Sequence, residues 1–102
     1  TEGFRSMARP SRLTDRELQD ALVSLSSWEL REGKLHRRFP FANFSEAFGF
    51  MARAALVAEK LDHHPEGSNV YATVVVDLVT HDADAITSLD VQLAKAMDSI
   101  AS

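Results

Sequence analysis

Three of the chain's four histidines stand where regular structure should run out. His63 and His64 are adjacent and come directly before Pro65, whose predecessor disfavours the α region. His81 closes a valine-rich run before the turn-forming Asp82-Ala83-Asp84. Ends of regular elements are where a rigid scaffold presents functional side chains. Imidazole both donates and accepts protons near neutral pH, so rings sharing one pocket could supply acid and base to one substrate. Glu59 and Asp62 are acidic neighbours that could support charge on those rings.

Blander readings stand beside this one. Adjacent histidines at a helix C-terminus can simply complement its negative dipole end, and Glu59 and Asp62 can form a solvated helix face. A metal site is disfavoured, because successive helical residues point about 100° apart and no HExxH pair is present. A Ser-His-Asp arrangement lacks its GxSxG elbow.

The 102 residues make one domain with a modest core, to which subunit contacts often add stability. A composition 45% hydrophobic and 25% charged is that of a soluble globular fold. The net charge of -4 argues against a binder of phosphate backbones. Without cysteine there is no disulfide, thiolate zinc site or cysteine nucleophile, which favours a reducing cytoplasm. No apolar run approaches the roughly 18 residues that span a bilayer. Thr1 to Arg12 has no apolar centre and is expected to be a flexible polar leader, with one domain over 13–102.

Spacing predicts the elements that must hold the histidines. Thr14 and Glu17 form a capping box between Leu13 and Leu18, and Leu18, Ala21, Leu22 and Leu25 continue at helical period until Ser26-Ser27. Trp28–Arg31, a Glu32-Gly33 turn and a strand with Leu35, Phe39 and Phe41 on one face read as a hairpin. Arg37 breaks that pattern by sharing the parity of Leu35. Asn43 and Glu46 start a second helix. Its stripe runs Phe44, Ala47, Phe48, Met51, Ala54, Ala55 and Ala58, and Phe50, Val57 and Leu61 lie on another side. A helix apolar on two sides needs two covers, the sheet and a partner subunit. Val70–His81 is a long β run that a bend near Ala72 can divide. Thr87 with Asp90 caps a last helix with Leu89, Leu93, Met97 and Ile100 on its apolar face. The expected class is α+β: an antiparallel four-stranded sheet, three helices on one face, order α-β-β-α-β(β)-α.

The stretch Glu59-Lys60-Leu61-Asp62-His63-His64-Pro65, with Tyr71, Thr80-His81-Asp82 and Asp90 at their spacings, resembles the signature of the pterin-4a-carbinolamine dehydratases. The likeness continues through Phe41–Met51 back to Trp28, covering roughly Leu13 to Ile100. It implies dehydration of 4a-hydroxytetrahydropterin to quinonoid dihydropterin, a hydro-lyase step without metal or cofactor. The product would be recycled for an aromatic amino-acid hydroxylase, and the chain would assemble as a homodimer or homotetramer through the helix around 44–61.

The resemblance also implies roles. His64 serves as base or proton shuttle, and His63 and His81 hold and protonate the leaving oxygen. Asp90 either orients His81 or only completes its capping box. Trp28 either stacks on the flat pterin or packs in the core. Val79, Thr80 and Asp82 form a strand end that contacts substrate, with Pro65 beside them, and Tyr71 is more structural than catalytic. Many family members carry an aromatic residue after the Pro-Glu pair where this chain has Gly67. Two rivals remain: a dimerisation cofactor of a homeodomain transcription factor, and a non-catalytic pterin or molybdopterin accessory protein.

Overall fold

In the computed structural model the described residues are 10–102, so most of the leader expected over 1–12 lies outside them. Helix α1 spans Asp15–Ser24, β1 Glu29–Arg31, β2 Lys34–Pro40, α2 Phe44–Leu61, β3 Glu66–Val70, β4 Thr73–Leu78 and α3 Ser88–Ala101. The strands form one antiparallel sheet in the order β1-β2-β4-β3. This is the α+β architecture expected from the sequence.

Helix starts follow the local capping chemistry. The Thr14 hydroxyl accepts from the Glu17 N–H at 3.1 Å, and the Glu17 carboxylate accepts from the Thr14 N–H at 2.8 Å. Thr14→Ala removes the first of these bonds and should cost about 1 kcal/mol, read as a lower urea midpoint at unchanged m-value. On α2, Asn43 Oδ1 accepts from the Glu46 N–H at 2.9 Å, while the Glu46 carboxylate accepts from the N–H of Ala42 rather than Asn43. The Glu32-Gly33 turn has positive φ at both residues, 52° and 79°, as tight hairpins require.

One face of the sheet supplies the core. Leu35 and Phe39 of β2 and Val74, Val76 and Leu78 of β4 are buried, and Phe50, Leu93 and Met97 of the helices pack into the same cluster. Arg37, inward by parity, has its guanidinium 4.1 Å from the Phe39 ring centre and donates to Asp98 at 2.5 Å. An aromatic platform and a carboxylate thus make an inward arginine compatible with the core edge.

Two expectations are refined. The run from Val70 is indeed divided, at Tyr71-Ala72, where Tyr71 takes φ 50°. The first of the two strands begins upstream, at Glu66. The sequence Glu-Gly-Ser-Asn-Val has no apolar alternation because β3 is an edge strand, held by its ladder to β4 and by Asn69 donating to the carbonyls of Tyr71 and Thr73. On α2 the buried set is Ala47, Phe50, Ala54 and Ala58. Phe44 and Phe48 of the expected stripe are 50% and 55% exposed and lie against each other with tilted rings, centroids 5.7 Å apart.

Candidate active site

The C-terminus of α2 separates the two adjacent histidines. Asp62 takes the left-handed conformation, φ 52° and ψ 44°, and the His63 N–H returns to the Ala58 carbonyl at 3.0 Å. This reversal turns His63 into the interior, 5% exposed, and leaves the His64 side chain 58% exposed. After β4, Thr80 pairs with Ala85, and Asp84 at φ 50° closes a short loop that holds His81 outward, its side chain 75% exposed.

These two chain ends meet. Asp62, His63, His64, Thr80, His81 and Asp82 line one cleft of about 150 Å³. The fourth histidine, His36, lies apart on β2, bonded to Asp77 at 2.8 Å.

Each cleft imidazole has a carboxylate partner. His63 Nε2 lies 2.5 Å from Asp90 Oδ1, and His64 Nε2 lies 2.6 Å from Glu59 Oε2. His81 Nε2 lies 3.3 Å from Glu66 Oε2. The buried pair is the most constrained. Asp90 Oδ2 accepts from the Thr80 hydroxyl at 2.8 Å and from the Thr87 N–H at 2.9 Å. Thr80 and Thr87 are linked through their hydroxyls at 2.7 Å. With Asp90 accepting throughout, the network assigns the proton of the shared bond to His63 Nε2, which fixes the ring's tautomer and leaves Nδ1 as its remaining nitrogen. A carboxylate behind an imidazole orients it and stabilises the imidazolium when it forms, as in hydrolase triads.

Residues 11–100 match the family model described as Pterin 4 alpha carbinolamine dehydratase. The chain belongs to this family. Two curated relatives named "Putative pterin-4-alpha-carbinolamine dehydratase" illustrate the likeness. The one from Chelativorans sp. (strain BNC1) is 57% identical over 97 residues, covering 93% of this chain and 98% of the relative. The one from Rhodopseudomonas palustris (strain HaA2) is 58% identical over 92 residues, covering 88% and 91%. Among solved structures, one titled as a transcriptional coactivator/pterin dehydratase from Brucella melitensis superposes with TM-score 0.87 at 49% identity. It covers 90% of this chain and all of that one.

Against this pterin dehydratase background, several site expectations change. Asp90 does complete the α3 capping box, but its ring partner is His63, not His81. The partner of His81 is Glu66, which the sequence reading passed over. Its signal was present, since Glu66 directly follows the His-His-Pro motif. Glu66 Oε1 also accepts from Lys34 Nζ at 2.7 Å, and this hydrogen bond raises the Lys34 pKa above its ordinary value. Trp28 does not line the cleft. Its indole is buried edge-on to Phe39 with centroids 5.8 Å apart, and Nε1 donates to Asp98 at 2.7 Å. Its large apolar area and single N–H donor are thereby both accommodated in the core.

Of the three residues expected to contact substrate, Thr80 and Asp82 line the cleft, whereas Val79 is buried and is not part of the lining. Pro65 and Glu59 lie instead along a second, apolar groove that His64 also borders. Among the described residues no three His, Cys, Asp or Glu side chains are grouped to hold a metal ion, and no helix is long and apolar enough to cross a membrane.

Proposed function

We propose that this chain eliminates water from 4a-hydroxytetrahydropterin to give quinonoid dihydropterin, using His63, His64 and His81. The observation that supports this most is that three imidazoles from two distant segments line one cleft, each backed by its own carboxylate. In the reaction the C4a–O bond breaks, the departing oxygen takes a proton and leaves as water. Nitrogen 5 loses its proton, and a C4a=N5 double bond forms. No electrons are gained or lost, so placed acid and base groups suffice. His64, exposed and held through Nε2 by Glu59, takes the nitrogen proton at Nδ1. His63 and His81 hold the hydroxyl and supply its proton, and Thr80 and Asp82 border the ring.

The test is spectroscopic. A hydroxylase generates 4a-hydroxytetrahydropterin, whose decay is followed with and without the protein. Acceleration that scales with protein concentration is expected. An unchanged decay rate would favour an accessory pterin or molybdopterin protein instead. On this reading the product is re-reduced for an aromatic amino-acid hydroxylase, and a cysteine-free chain works in the cytoplasm.

The exposed Phe44–Phe48 pair favours a second role for α2, as the contact between copies in a homodimer or homotetramer. Phe48→Ser should move the sedimenting species toward monomer. A wild-type chain that sediments as a monomer at micromolar concentration would remove this role.

A further inference from the structure

His81 is the most exposed of the three cleft imidazoles and stands on a short loop. Holding an exposed side chain in one orientation costs conformational entropy, so a fixed group must hold it. Its partner Glu66 is itself 39% exposed and begins an edge strand. What fixes Glu66 therefore decides how well the ring is held.

That fixing group comes from across the sheet. Cross-strand partners share a face, so the pairs His36↔Asp77 and Glu66↔Asp77 put three side chains in one row. The row lies on the face turned away from the helices, opposite the buried Leu35, Val76 and Leu78. Lys34, two residues before His36, projects from the same face. Strand β4 separates β2 from β3, so a bridge from Lys34 to Glu66 crosses two strand spacings, about 9–10 Å. Two long side chains can span that distance. Lys34 Nζ donates to Glu66 Oε1 at 2.7 Å, while His81 Nε2 lies 3.3 Å from Oε2.

Each oxygen of one carboxylate thus has its own partner, which sets the plane of the group. An ionised carboxylate only accepts, so the proton of the second contact belongs to His81 Nε2, and Nδ1 is left for a ligand. The Glu66 hydrogen bond, with the Asp77 and Glu32 charges behind it, raises the Lys34 pKa and keeps its ammonium charged. This cation also offsets Asp77 and Glu66, which face each other directly across β4 and β3, an arrangement unfavourable for like charges. Neither Lys34 nor Glu66 lines the histidine cleft. Glu66 instead borders a hollow on the open face with Ser68, Val75 and Asp77.

We propose that Lys34 is a positioning residue for the dehydration: it clamps Glu66 from the open face of the sheet, and Glu66 in turn orients His81 in the cleft. This rests on the dehydratase reading and adds to it a residue of β2 that lies outside the cleft. A clamp of this kind acts on the alignment of the proton-transfer group, so it belongs to kcat and not to KM.

Lys34→Met keeps the side-chain stem and removes the ammonium. For decay of 4a-hydroxytetrahydropterin, kcat should fall about tenfold, within the ~10²-fold that a 1 Å misplacement can cost. KM should stay within about twofold of wild type. Lys34→Arg reaches as far and donates to the same oxygen, so it should restore most of the rate. The pair is partly exposed at both ends, so neither variant should unfold. A wild-type chain that does not accelerate the decay overturns the dehydratase reading. A wild-type chain that does, with Lys34→Met at the same kcat, overturns only the clamp.

The ring gives a second readout, independent of turnover. The NMR order parameter of the His81 Cε1–H bond should fall in Lys34→Met and hold its wild-type value in Lys34→Arg. An unchanged value in Lys34→Met overturns the clamp whatever the kinetics.

Discussion

Replacing His64 by alanine is expected to lower kcat for the dehydration by about 10²- to 10⁴-fold, the usual worth of one placed general base. Stability should change little. The side chain is 58% exposed, and its single bond, to Glu59 at 2.6 Å, joins two surface groups. Exposed pairs of this kind contribute about 0–1 kcal/mol. A loss of turnover without a loss of folding therefore separates a catalytic ring from a structural one. Rapid mixing with 4a-hydroxytetrahydropterin gives kcat, and urea unfolding of the same samples gives stability. Retention of the wild-type rate would falsify the assignment of the base to His64.

Asp90→Ala should act mainly on stability. The carboxylate is fully buried and serves three donors: His63 Nε2, the Thr80 hydroxyl and the Thr87 N–H. Removing it leaves buried polar groups without a partner and takes away the α3 capping box. The expected cost is about 3–5 kcal/mol, as for a buried pair that loses one member. Asp90→Asn keeps the shape and some acceptor capacity, so it should cost less while freeing the His63 tautomer and still lowering turnover. If the alanine variant unfolds within about 1 kcal/mol of wild type, the network around Asp90 is not what fixes His63.

The two substitutions divide the trio by physical situation. His63 is locked from behind by a network that spans the end of β4 and the start of α3. His64 and His81 face solvent from separate segments, each on a partly or largely exposed carboxylate. A locked ring defines the floor of the cleft, and the outward rings are free to meet a ligand.

Much of this was legible in the residues because it is local. Thr14 with Glu17, Asn43 with Glu46 and Thr87 with Asp90 each satisfy a helix's first N–H groups from within four residues. Glu32-Gly33 dictates its own turn by backbone sterics. Period alone separates helices from strands, and Pro65 bars helical continuation at His64 wherever the rest of the chain lies. The clustering of His63, His64 and His81 was legible only through the family likeness, since nothing local joins residue 81 to residue 64.

Tertiary structure decided the partners. Asp90 belongs to His63 because α3 starts beneath the end of α2, 27 positions away in the chain. Glu66 reaches His81 because β3 runs antiparallel beside β4. Trp28 went to the core because Asp98, 70 positions on, offered its indole an acceptor there. Which flank of the alanine-rich α2 is buried, and that Gly67 borders the apolar groove, likewise depended on how the helix sits on the sheet. Spacing in sequence fixes the directions of neighbouring side chains, whereas contacts across the fold depend on packing that no local pattern encodes.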